Sequence, residues 1–316
     1  MAVVGIPEKT IGQVCLAVRD ADRLSKNYKD ILGWDMSRNF QTTLLHDHTH
    51  ATYHGVPIDS RAYLTSIVTA QLQYELLQPL ERPSAWLDGM EKHGEGIHHI
   101  AFFVPSTITT AVSLVQHGYE VTQHGLFTGQ NGQYTYFDTD KDLGVIIELL
   151  EHFQGQARFN EPPIPNGIGS DVICQVGIIV HDVAKTAQRW TDVLGVPVAF
   201  ALETPGFAQS KTYYKGDPSE ATAKLAFFNF GQVQIELIQP DEKPSVWRDY
   251  LDKHGEGAQH IAFRVPNTQA AVDYLAGFDI PVIQQGLYAD GSGMYTYVGS
   301  EEKLGVMVEL LEDYPR

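Results

Sequence analysis

The sequence predicts an α+β protein made of two like domains in tandem, four βαβββ units in all. Three observations carry this. Long segments recur at a fixed spacing, each copy divides again into two units of strand, helix and further strands, and the strands alternate apolar and polar residues. "PSAWLDGMEKHGEG" (83–96) returns as "PSVWRDYLDKHGEG" (244–257), and "LGVIIELLE" (143–151) returns as "LGVMVELLE" (304–312). The offset is 161 residues, from Trp86 to Trp247 and from Glu148 to Glu309, and 162 near the start, from Gln13 to Gln175. One residue has therefore been gained or lost early in one copy. A period of this size marks duplicated structural units. The expected boundaries are a first domain over 1–154, a linker rich in Pro and Gly over 155–171, and a second domain over 172–316.

Within the first copy, Gln13–Val18 alternates as a strand. Leu24, Tyr28, Ile31 and Leu32 then fall on one face of a helix, which Gly33 stops. Two or three strands follow, ending at Leu72–Leu77. The second unit repeats the order with the strand "HHIAFFV", the helix "TITTAVSLVQHG", and strands around Tyr119–Thr122, Gln133–Asp138 and Val145–Leu150. Hairpin-like connections predict largely antiparallel sheets with helices packed on one face.

The net charge of −17 argues against nucleic acid and anionic membrane surfaces as partners. No apolar run is long enough to span a bilayer, and "MAVVGIPEKT" lacks the pattern of a secretory signal. Cys15 and Cys174 stand at non-matching places and are expected to be buried thiols in a reducing cytoplasm.

Strand alternation separates an apolar face for the helices from a cup face. Val14, Leu16 and Val18 face the helices and Gln13 faces away. Tyr74 and Leu76 oppose Glu75, and Val145, Ile147 and Leu149 oppose Glu148. His98 begins the helix-side row with Ile100, Phe102 and Val104, whereas His99 lies in the cup. The second copy gives Gln175, Glu236, His260 and Glu309. A carboxylate inside an apolar strand is costly to bury without compensation. Two carboxylates, an imidazole and an amide on one concave surface form a candidate site for a divalent ion (Ni, Co, Zn, Mn or Mg).

With these residues in place, the chain resembles the vicinal oxygen chelate superfamily of glyoxalase I, methylmalonyl-CoA epimerase, extradiol dioxygenases and bleomycin-resistance proteins. The resemblance covers 11–153 and 172–314 and is nearest to the epimerase, through "YELLQP", "GEGIHHIAFFV" and "LGVIIELLE". It implies two vicinal oxygen chelate domains and selects the histidine before "IAF", His99 or His260, as the ligand. Gln–Glu–His–Glu order is similar to the ligand set of glyoxalase I. The arginine and asparagine that hold glutathione there are replaced by Ala17 and Pro79, and by Ile179 and Pro240.

The resemblance implies an isomerase, epimerase or glyoxalase-type lyase acting by proton abstraction next to a metal-bound carbonyl, via an enolate. Glu148 and Glu309 would serve as both ligand and base. The alternatives are a ligand-binding protein of the resistance type and a ring-cleaving dioxygenase, which needs two histidines and a carboxylate. The partner is expected to be a small carbonyl compound, and a homodimer stays open. His48 and His50, in the His-rich stretch 46–54, are read as lining the mouth of the first site. Asp59 and Glu220, repeat-matched acids, are candidates for a second carboxylate. Arg264 either pairs a substrate carboxylate or neutralises a ligand glutamate. Tyr134, Tyr136, Tyr295 and Tyr297 are read as core residues with a hydroxyl at the edge, and Trp86 and Trp247 as packing a connecting helix.

Overall fold

Asp20 and Asp182 each start a helix, their carboxylates accepting from Arg23 N and from Ala184 and Lys185 N, and Gly33 and Gly195 stop those helices in left-handed conformations. The helices Ala21–Leu32 and Val183–Leu194 bury matching faces that include Tyr28 and Trp190. This local order is seen in a computed structural model describing residues 9–36, 41–69, 71–154 and 167–315. Most of the expected linker, and the first residues of the chain, lie outside the described residues.

Each copy forms one curled ten-stranded sheet. Across the first sheet the strands run Gln41–Thr42, Ala62–Val68, Gln73–Pro79, Ile11–Ala17, Gly96–Phe103, Ile146–His152, Gly132–Phe137, Val121–Leu126, Thr52–Tyr53 and Val56–Pro57. The second sheet repeats this order with its centre at Ile173–Ile179 and Gly257–Arg264. Pairing is mostly antiparallel. The first and last strands of each βαβββ unit are parallel, because the helix carries the chain across. The two units of a copy meet through antiparallel pairing of their first strands, Ile11–Ala17 with Gly96–Phe103.

The predicted helix-side residues do face inward, and the two copies share them. Val14, Leu16, Tyr74, Phe102 and Leu149 belong to one buried cluster with Val176, Ile178, Phe228, Phe263 and Leu310. Phe102 meets Phe230 at 5.5 Å and Trp34 meets Phe263 at 5.9 Å between ring centroids. The contact is reciprocal. Tyr28 Oη donates to Leu304 O at 2.7 Å, and Trp190 Nε1 donates to the repeat-matched Leu143 O at 3.0 Å. Gln71 exchanges two hydrogen bonds with Ile173, while Gln232 donates to Ile11 O. The cup faces carry separate apolar clusters, one set per copy, on the far side of each sheet. Among the described residues no helix is long and apolar enough to cross a membrane.

Tyr28→Phe removes the donor to Leu304 O and the partner of Tyr74 Oη, which lies at 2.6 Å. A loss of about 1–3 kcal/mol is expected, read from denaturant unfolding of the whole chain.

Candidate metal centre

Alternation and strand register bring the sequence-predicted residues together. Glu75 pairs across the sheet with Cys15, Cys15 with His99, and Glu148 with Ala101, one position along from His99 on the cup face. The four residues of the first set all come from the first copy, and the four of the second all from the second copy. His99 Nε2 lies 3.1 Å from Glu148 Oε2 and 3.1 Å from Gln13 Oε1. His260 Nε2 lies 3.2 Å from Glu309 Oε2 and 3.7 Å from Glu236 Oε2. The amide tip of Gln175 stands 3.0 Å from Glu309 Oε2 and 3.3 Å from Glu236 Oε2. Both imidazoles are fully buried.

His98 departs from the expected helix-side row. A β-bulge puts Cys15 opposite His99 but Leu16 opposite Ile97, so His98 is the extra residue. Ile97 takes the inward place in the core. His98 instead turns to the helix Ala85–His93, its Nε2 3.1 Å from Ala85 O and its Nδ1 2.9 Å from His99 Nδ1. The partners fix the tautomers. Nε2 of His98 must donate to the carbonyl, so its Nδ1 accepts from His99 Nδ1–H. That leaves a lone pair on His99 Nε2. The second copy fixes the Nδ1 proton in the same way, with an amide. Gln259 Nε2 donates to Val246 O at 2.7 Å, and its Oε1 accepts from His260 Nδ1 at 3.2 Å.

Three acceptors therefore face one point in the first cup: His99 Nε2, Glu148 Oε2 and, as it stands, Gln13 Oε1. Glu148 Oε2 and His260 Nε2 are buried without a hydrogen-bond partner. Converging lone pairs repel unless protons or a cation lie between them. Burial, then the charge of Glu148, pushes the Glu75 carboxyl up to about 8, and burial pushes Glu148 to about 8. Burial, then Glu309, raises Glu236 well above the usual range. Burial holds the His99 imidazole down at about 3, hence neutral. Neutral imidazole, amide and two carboxylates fit a divalent ion of borderline or hard character.

A cavity of about 280 Å³ opens over the first set, lined by Gln13, Glu75 and Glu148 together with Leu64, Leu77 and Leu150. Phe103, Phe127 and His152 form its rim, with Phe103 and His152 ring centroids 5.5 Å apart. Phe103 lies where a Cβ on Gly12 would fall, 2.1 Å away. The matching rim of the second cup is polar: Arg264 pairs with Asp313, so it neutralises neither ligand glutamate. Tyr136 and Tyr297 are more than core packing. Their rings lie 4.9 Å and 5.0 Å from those of His99 and His260, on strand positions directly opposite Glu148 and Glu309.

Asp59, His48 and His50 are not among the residues lining the first cavity. Asp59 accepts from His46 N and Glu220 accepts from Phe207 N, so both acids cap short matched helices. His48 Nε2 bonds Thr128 O at 2.8 Å, and Gln209 does the same to Ala289 O at 2.6 Å. That shared contact braces the rim loop in both copies. His50 ends its short helix in a left-handed conformation and is exposed. Sequence reasoning missed the shared role of His98 and Gln259 in their own copies, because the bulge is invisible to simple alternation, and it treated Cys15 only as a buried thiol.

The profile of the Glyoxalase/Bleomycin resistance protein/Dioxygenase superfamily matches residues 12–137 and again 174–298. The chain belongs to that superfamily. Among curated proteins it is 27% identical over 138 residues to the uncharacterized protein YqjC of Bacillus subtilis (strain 168), covering 43% of this chain and 89% of that protein. It is also 27% identical over 137 residues to the mitochondrial methylmalonyl-CoA epimerase of Homo sapiens, covering 43% of this chain and 70% of the epimerase. A mutant of 4-hydroxymandelate synthase from Streptomyces coelicolor superposes on 98% of this chain and 95% of its own, with TM-score 0.60 and 15% identity. That likeness concerns the fold alone. Superfamily members bind divalent metal ions, which agrees with the donor set described above.

His98→Gln should keep the relay, as Gln259 does, and leave divalent-ion affinity of the first cup nearly unchanged. His98→Leu should weaken it by roughly 10–100-fold, read by metal titration. The raised carboxyls give a pH test. Glu75 and Glu148 bind protons more tightly when folded, so their contribution is full below the unfolded carboxylate range and is lost as pH rises through about 8. His99, held at about 3, acts oppositely and costs stability only as pH falls from roughly 6.5 towards that value. Metal-free protein should unfold more easily at about pH 9 than at about pH 6.5, and saturating divalent ion should remove most of that difference.

Proposed function

We propose that each cup is a divalent-metal site for redox-neutral proton transfer at carbon next to a carbonyl, the chemistry of an isomerase, epimerase or glyoxalase-type lyase. The observation that carries this is one fully buried imidazole beside two buried carboxylates and a buried amide on one cup face, in both copies. A bound ion would be held by Gln13, Glu75, His99 and Glu148, or by Gln175, Glu236, His260 and Glu309, and supplies Lewis-acid polarisation of the substrate carbonyl.

The protein's own residues do the rest. Glu148 and Glu309 take the proton and return it, a step worth roughly 10²–10⁴-fold for a positioned base. Tyr136 and Tyr297, opposite these glutamates, fix the carboxyl orientation from the neighbouring strand. His98 and Gln259 hold the imidazole tautomer. The apolar wall of Leu64, Leu77, Leu126 and Leu150 keeps water from the reacting carbon. The likeness to methylmalonyl-CoA epimerase supports an acyl compound with an acidic α-proton as the substrate class.

Ring-cleaving dioxygenase chemistry is less well supported. It uses two histidines and a carboxylate on iron, whereas each set of four donors includes one imidazole, His98 being committed to Ala85 O and His99 and His152 standing at the rim between Phe103 and Phe127. Simple ligand sequestration leaves the buried carboxylates without a purpose.

Metal analysis of purified protein should find two equivalents, falling to one in His99→Ala and one in His260→Ala. Full metal content in both variants would sink the proposal. With metal restored, the protein should exchange the α-proton of a branched acyl thioester or an α-hydroxy ketone with solvent deuterium. The Glu148→Gln, Glu309→Gln double variant should lose this exchange by at least about 10²-fold, measured by mass spectrometry.

A further inference from the structure

The two cups carry the same four candidate ligands but differ on their floors. Cys15 stands between Glu75 and His99 in the strand register, facing the cup and fully buried. Its Sγ, a Glu75 carboxylate oxygen and a His99 ring nitrogen all lie within 4.8 Å of one another. The thiol bonds the Glu75 carboxyl beside it, and its other contact, to Leu16 O at 3.7 Å, is weak. Glu148 Oε2, 2% exposed as a residue and without a hydrogen-bond partner, points into the same space from the other side of the imidazole.

The matching residue in the second copy is Gly177. A Cβ there would fall 1.8 Å from His260 Cε1, so the imidazole occupies the room that the cysteine fills in the first copy. His260 accordingly reaches both glutamates of its set, at 3.2 Å and 3.7 Å. In the first cup the place beside Glu75 is taken by sulfur.

We infer that Cys15 is a sulfur ligand of the first metal site, which makes the two cups unlike in metal preference. The inference rests on the metal-site reading of both cups. Thiolate donors select zinc and cobalt over magnesium and manganese, and an all-oxygen-and-nitrogen set shifts the balance the other way. Binding forms a metal–sulfur bond and releases the thiol proton to solvent, with no change of oxidation state.

Cobalt(II) titration of the whole protein tests this without any assay of activity. Two equivalents should bind, and one of them should bring a near-ultraviolet thiolate-to-cobalt charge-transfer band. Cys15→Ala and Cys15→Ser should each lose the band, while Cys174→Ser, whose thiol bonds Ala262 O at 3.4 Å outside the ligand set, should keep it. In competition, His260→Ala protein, with only the first cup intact, should favour cobalt over manganese at least about tenfold more than His99→Ala protein. Two bound cobalt ions in unaltered protein with no sulfur band would overturn the role of Cys15 and leave the metal sites standing. So would a band that survives Cys15→Ser. Failure to bind cobalt at all would instead overturn the metal-site reading. The unaltered protein supplies the deciding spectrum even where a variant does not fold.

Discussion

The shared apolar layer between the copies is the constraint on which the rest depends. Each sheet is apolar on one face, and a sheet with helices on that face must bury them against something. Here the partner is the other copy. The helix carrying Tyr28 sits against the segment ending at Leu304, and the helix carrying Trp190 against the segment ending at Leu143. Phenol and indole differ in shape, yet each delivers one donor to the same carbonyl in its opposite number. Geometry is maintained where residue identity is not. Because this layer claims both inner faces, the concave faces are left outside, one per copy, and each must collect its polar residues from its own strands.

Those polar residues are expensive inside such strands. Glu75, Glu148, Glu236 and Glu309 are all buried to within a few per cent of exposure, beside a fully buried imidazole. Pairing each glutamate with arginine would have relieved the cost, but the first cup instead places His99 Nε2 and Gln13 Oε1 against Glu148 Oε2. The bulge at His98 and Gln259 shows the same preference one step further out. It takes a residue out of alternation so that a donor can be aimed at a helix carbonyl and the ring nitrogen in the cup left bare. A site arranged only for stability would not need that chain of tautomers.

Much of this was legible in the sequence. The duplication, the βαβββ units and the eight cup-facing residues follow from recurrence and a period of two, which depend on local spacing alone. What alternation could not reveal was where it breaks. Assigning His98 to the helix side assumes an unbroken pleat, and a single inserted residue moves it to the helix that ends the cup. Asp59 and Glu220 were rightly matched to each other across the copies, but the match arises from capping equivalent short helices. Repetition reports shared structure as readily as shared chemistry. Arg264 depends on Asp313, 49 residues later, a pairing that no local pattern encodes.

The rims differ as much as the floors. Phe103, Phe127 and His152 surround one cup, and Arg264, Tyr288 and Asp313 stand at the matching places of the other. Back-to-back placement adds a transport consequence. Anything released from one mouth must diffuse through bulk solvent around the molecule before it meets the other, so the covalent link fixes the two cups at equal dosage without channelling material between them. Tandem fusion in this protein is therefore a device for stoichiometry and for mutual burial, and each mouth is free to drift toward its own clientele.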